Sequence, residues 1–179
     1  MELSREISRA LRHNRNVFKQ TREYCHGWIE FQMYYGEKLN SISHLVGAAF
    51  ALMGFGALLT VGFLSDDRWV LSSFFIFGIT MVLLYTMSTL YHSLKPSGLK
   101  QLFKLLDHVS IYLLIAGTYT PYMLVSLRTG NGLPILLIVW SLAVAGILSE
   151  LFLSGRAVTV GQIVAFLGMG WGCRGLLID

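Results

Sequence analysis

The chain has 179 residues, of which 54% are hydrophobic and only 13% charged, with a mean hydropathy of +0.59. Soluble domains carry about 25% charged residues, and disorder needs low hydrophobicity with high charge, so the composition leaves a membrane protein. The net charge of +4 is too small a basic excess to suggest a nucleic-acid partner, and Cys25 and Cys173 lie far apart, which gives neither a disulfide framework nor a metal knuckle.

Residues 1–36 read as a basic cytoplasmic tail. Leu3, Ile7 and Leu11 recur every four residues among Arg5, Arg9 and Arg12. That pattern fits an interfacial amphipathic helix, or a disordered basic segment that only fixes topology. Trp28, Phe31, Tyr34 and Tyr35 follow as an interfacial aromatic belt would. Residues 1–30 are polar, and no cleavable leader is expected in them.

Residues 37–179 read as one membrane bundle, all α. A spanning helix needs about 20 mainly apolar residues. Stretches 42–64 and 69–94 qualify without a single Asp, Glu, Lys or Arg. Stretch 109–127 is extended backward by Leu105 and Leu106, and 133–149 runs on through Leu151 and Phe152. A fifth, shorter stretch covers 157–173. The connections, 65–68, 95–104, 128–132 and 154–156, are brief, so consecutive helices pack antiparallel. A cytoplasmic N-terminus puts eleven Lys and Arg on the cytoplasmic side and two outside, the favoured bias. The expected location is the plasma membrane, or the inner membrane of a Gram-negative cell. Gly47, Ala48, Ala51, Gly54, Gly56 and Ala57 in the first span, and Gly168 and Gly172 in the fifth, are small residues that let helices approach.

Ionisable groups inside spans are costly and therefore candidates for function. Glu37, Asn40, Ser41 and His44 share a helix face by their spacing. Tyr85, Ser88 and His92 end the second span, and Asp107, His108 and Ser110 begin the third. Antiparallel packing brings His44, Ser88, His92 and Asp107 to one depth. Each has a plainer reading: His44 and His92 as hydrated interfacial imidazoles, Asp107 as a helix-dipole partner, Asn40 and Ser41 as caps. Asp107 and His108 point about 100° apart, so at most one faces the cluster squarely. Two His and an Asp resemble half of a zinc shell, which normally needs three protein ligands.

The segments EKLNSISH at 37–44, STLYH at 88–92, LDHVSIYLLIAGTYTP at 106–121 and GMGW at 168–171 resemble bacterial hemolysin III proteins, which belong with the progestin and adipoQ receptors. The resemblance covers roughly residues 35–171. It implies a seven-helix bundle with zinc near the cytoplasmic face, held by one His ending helix two and an HxxxH pair on helix seven. By position His92 resembles the helix-two ligand, Asp107 the acid that contacts the zinc-bound water, and Ser88 the polar partner one turn away. His44, Asn40, Glu37 and Tyr85 become polar groups around that ligand. The family's proposed activity is hydrolysis of lipid amides, and a lipid amide is the implied substrate.

No HxxxH occurs in the sequence; the five histidines are His13, His26, His44, His92 and His108. The pattern fades after Trp171, which suggests a truncated or frame-shifted product lacking helices six and seven. Three functions follow as expectations: a zinc-dependent amide hydrolase, weak or inactive in this chain; a membrane-lytic or pore-associated protein; and an inactive remnant. A homo-oligomer or complementing helices would be partners beside the membrane lipids. With the bundle open on one side, Ser88, His92 and Asp107 would be exposed.

Overall fold

An apolar stretch in lipid must satisfy its backbone hydrogen bonds within itself, and a helix does so. The computed structural model describes residues 36–94 and 98–152. It contains helices α1 (Lys38–Leu64), α2 (Arg68–Ser93), α3 (Gly98–Pro121) and α4 (Gly132–Phe152). All four are long and apolar enough to cross a membrane, α3 counted together with the turn that follows it. The protein is thus an all-α integral membrane protein. The tail helix, the aromatic belt and the fifth span at 157–173 lie outside the described residues.

The turn between α1 and α2 is three residues long. Asp66 adopts the left-handed conformation, φ 51°, which Asp tolerates better than most residues. Asp67 then caps α2, its Oδ1 accepting from the backbone N–H of Trp69 at 2.8 Å.

The start of α3 corrects the expected ten-residue loop at 95–104. The helix begins at Gly98, so Lys100 and Lys104 are helical. Lys, Gln and Leu are all good helix formers, and a charge that ends a membrane span need not end a helix. At its other end α3 passes into a π-turn, Tyr122–Ser126. Pro121 has no N–H to continue the ladder, and the Leu127 N–H reaches back to the Tyr122 carbonyl at 3.0 Å.

Small residues set the helix approaches. Along α1 and α2, Ser41 meets Ser93 through their hydroxyls at 2.6 Å. Further along, Gly47 lies against the Tyr85 ring, Gly54 against Met81 and Gly62 against Leu71. Each step forward on α1 is matched by a step backward on α2, an antiparallel register. Gly117 of α3 packs on Thr80 of α2, and Gly146 of α4 on the Tyr112 ring of α3. Tyr112, Ala116, Met123, Ile135, Val139 and Ala143 form the buried core between α3 and α4. Leu45, Phe50, Phe63, Leu137 and Leu142 remain exposed, as lipid-facing residues should.

Candidate functional site

Three helix ends meet at one end of the bundle: the start of α1, the end of α2 and the start of α3. Glu37 precedes α1 but makes no side-chain cap. Its carboxylate instead turns to Lys100, Nζ to Oε2 at 2.5 Å. Lys100 also donates to the Leu94 carbonyl at 3.1 Å and sits 5.2 Å from the centre of the Tyr91 ring. The hydrogen bond from Lys100 holds the Glu37 carboxyl below the usual carboxylate range, against the opposing effect of burial.

The same Glu37 oxygen lies 3.6 Å from Nδ1 of His92. That distance is within ion-pair range but too long for a hydrogen bond. The His92 ring stacks on the His44 ring at 5.8 Å and 30°, and His44 touches Tyr85 at 5.9 Å. Nδ1 of both imidazoles is buried and without a hydrogen-bond partner among the described residues. Buried polar atoms normally find partners, so this pair is set apart from the rest of the bundle.

The other expected site residues divide. Tyr85 is in the cluster, and Ser88 is buried at 3% exposure. That corrects the expectation of an exposed Ser88, since packing within α1–α4 already covers it; His92 and Asp107 are half-buried. Asn40 is exposed. It lies about 60° away from the direction shared by Glu37, Ser41 and His44, which is why it leaves their face. Ser41 is no cap: it is buried and bonded to Ser93.

Asp107 reaches the right depth. With Gly117 against Thr80, ten residues of antiparallel helix, about 15 Å, bring Asp107 level with residue 90, between Ser88 and His92. Contact with His92 does not follow from that level. Among the described residues, no three His, Cys, Asp or Glu groups lie close enough to hold a metal ion. His108 points elsewhere. Its Nδ1 pairs with Glu150 Oε1 of α4 at 2.7 Å, nine residues and a half-turn from the Gly117 face.

Sequence reasoning passed over Lys100 and Glu150. Lys100 reads as a loop charge that sets topology. Glu150 was detectable as the sole acidic residue of the fourth apolar stretch, which by its cost is a signal.

Zinc, which the motif resemblance implies, can be tested against these donors. Two half-buried imidazoles with buried, unpartnered Nδ1 atoms are the right chemistry, and a carboxylate behind His92 is the usual support for a metal-binding His. The described residues nevertheless gather too few donors for a closed zinc shell, so they do not fit the ion on their own.

Comparison with known sequences bears on the same residues. The sequence profile of the family described as haemolysin-III related matches residues 32–178. The chain is 39% identical over 135 residues to a hemolysin-3 homolog of Bacillus subtilis (strain 168), covering 75% of this chain and 63% of that one. It is 37% identical over 135 residues to hemolysin-3 of Bacillus cereus, covering 75% and 61% respectively. The chain thus spans less than two thirds of the length of these curated relatives. No solved structure matches it.

Proposed function

Because the chain belongs to the haemolysin-III-related family, we propose that it is the part of a lipid-amide hydrolase-type membrane bundle that carries His92, with the remaining metal donors supplied from outside the residues described. The observation that carries this reading is the stacking of half-buried His44 on half-buried His92, each with a buried Nδ1 lacking a hydrogen-bond partner among the described residues. Unsatisfied polar atoms in hydrocarbon cost several kcal/mol each, and a bound ligand would remove that cost.

In this reading His92 is the metal ligand, and Ser88 and Asp107 are the polar groups nearest in depth to the reacting lipid. No hydrolytic step is assigned to these residues alone, since their donors do not close a zinc shell. The proposed setting is the plasma membrane with the N-terminus cytoplasmic, supported by the distribution of Lys and Arg.

Metal analysis of the purified protein tests the reading. Zinc near one equivalent, lost in His92→Ala, is the expected result. Zinc retained by His92→Ala, or no zinc in the wild type, overturns it for this chain. A lytic function is favoured by one observation, the hemolysin names of both relatives. Dye release from liposomes by wild-type protein and His92→Ala alike would support that function over the metal site.

A further inference from the structure

At the end of α1 and α2 remote from the histidines, the two helices wall a groove. Gly62 brings them close there: an added Cβ would stand 3.0 Å from Cα of Leu71. Beside that contact, Leu59 and Phe63 of α1 and Leu71, Phe75 and Ile76 of α2 line a furrow of about 440 Å³. The Phe55 ring meets Phe75 edge-on at 5.7 Å, which fixes one wall. Arg68, the first residue of α2, lines the same furrow.

Trp69 is the kind of residue that marks the headgroup level of a bilayer, so Arg68 beside it lies at the interface. From Arg68 to Ile76 the helix runs about 12 Å. Half of the ~30 Å hydrocarbon core is about 15 Å, so the furrow follows most of one leaflet's acyl region.

The charges around Trp69 are not equivalent. Arg128 is paired, with Nη1 3.4 Å from Asp67 Oδ2 and its guanidinium 5.2 Å from the Trp69 ring centre. The other Asp67 oxygen caps α2. Arg68 approaches the same ring at 5.9 Å, but no carboxylate among the described residues pairs with it. Asp66 is exposed in the turn beyond the helix end and has no ion-pair partner among them either.

Outward from the bilayer centre, the order is therefore an apolar furrow, a guanidinium and a carboxylate. A phospholipid with an amine headgroup carries an acyl chain, a phosphate and an ammonium in that order. Its phosphate suits the planar donors of an arginine, and its ammonium suits Asp66. A phosphoglycerol headgroup also meets Arg68, but it offers Asp66 no cation. We propose that this furrow is a binding site for one phosphoethanolamine lipid, with an acyl chain against Phe63 and Phe75, phosphate on Arg68 and ammonium on Asp66. The site is separate from the histidine cluster, and with the cytoplasmic N-terminus proposed above it belongs to the outer leaflet.

Native mass spectrometry of the purified, delipidated full chain in detergent micelles tests this, by titration with dioleoyl phosphoethanolamine and dioleoyl phosphoglycerol. The wild type should form one saturable adduct with the first lipid and bind the second more weakly. Arg68→Gln should raise the Kd for both about tenfold. Asp66→Asn keeps a residue tolerant of left-handed backbone. It should lower the preference for phosphoethanolamine about 2- to 5-fold without weakening phosphoglycerol. Ser72→Phe places a ring in the furrow and should abolish both adducts. Ser72 bonds only within its own helix, to the Trp69 carbonyl, and circular dichroism checks that this variant folds. Leu137→Ala, on exposed α4 surface, should bind as wild type does.

The inference is overturned by the absence of a saturable adduct, by equal binding in Arg68→Gln, or by adducts that survive Ser72→Phe. A wild type that prefers phosphoglycerol, or an unchanged preference in Asp66→Asn, also overturns it. A dimer in place of the adduct, lost in Ser72→Phe, would assign the furrow to a second copy of the chain and overturn it as well. None of these results bears on His92 or on zinc.

Discussion

Two polar clusters interrupt this apolar bundle, and they are satisfied in opposite ways. His108 and Glu150 are a closed pair, joined at 2.7 Å between α3 and α4, with Tyr112 and Ser149 beside them. At the meeting of α1, α2 and α3, Glu37 is satisfied by Lys100, while the imidazoles of His44 and His92 keep nitrogens that nothing in the described residues engages. A pair whose members satisfy one another holds helices together. A cluster whose acid is paired but whose imidazole Nδ1 atoms lack partners is the one that the proposed ligand would complete.

Breaking the closed pair should therefore have the largest effect on stability. Glu150→Leu leaves His108 facing an apolar wall within the membrane. Removing one partner of a buried pair costs about 3 kcal/mol or more, and the partial exposure of His108, 31%, places this case near the lower figure. Reversible unfolding in mixed micelles should show that loss, and the double variant His108→Leu with Glu150→Leu should recover most of it. A double variant as unstable as the sum of its parts would show that the pair is not a closed unit, and the contrast between the clusters would fail.

The two clusters also differed in how far the sequence revealed them. The first is written locally: Glu37, Ser41 and His44 recur at helical spacing, and Ser88 and His92 are one turn apart. Antiparallel packing then suffices to bring His44 beside His92. Lys100 was hidden because a lysine near a span end reads as a topology signal, and because α3 starts two turns earlier than its apolar stretch. The second cluster is a contact between residues 42 positions apart, and no periodicity within α3 or α4 announces which faces pair. Asp107 shows the limit from the other side. Its depth follows from helix geometry, but a helix residue can share a level with His92 without touching it. The four described spans were legible because charge-free apolar length is nearly sufficient evidence for a membrane helix.

A smaller effect should come from crowding the open cluster. Gly47 lies under the Tyr85 ring, where an added Cβ would stand 2.6 Å from Cδ1 and Cε1. Gly47→Ala must push that ring, which itself contacts His44. Overpacking of this kind costs about 1–3 kcal/mol, and one methyl against a ring that can swing should fall near 1. Gly56→Ala on the same helix meets nothing within 4 Å and should be neutral. Equal stabilities of the two variants would mean that Tyr85 is not tightly held, and that the order of the cluster does not depend on this approach.

The smallest effect should be the response of the open cluster to acid. The hydrogen bond from Lys100 depresses the Glu37 pKa below its ordinary value of 4.5, with burial opposing it. A depressed acid stabilises the folded state above its unfolded pKa, and the contribution is lost as pH falls through the lower, folded value. The difference in stability between wild type and Glu37→Gln should thus be constant above about pH 5 and shrink below 4.5. Glu37 is 29% exposed, so solvent screens the pair, and the whole difference should stay within about 1 kcal/mol. Mixed-micelle unfolding of both proteins from pH 7 down to pH 3 would read it. A difference that grows toward acid would mean that Glu37 is stabilised in its protonated form. The Lys100 contact would then be incidental, and the open cluster would have lost the charge that organises it.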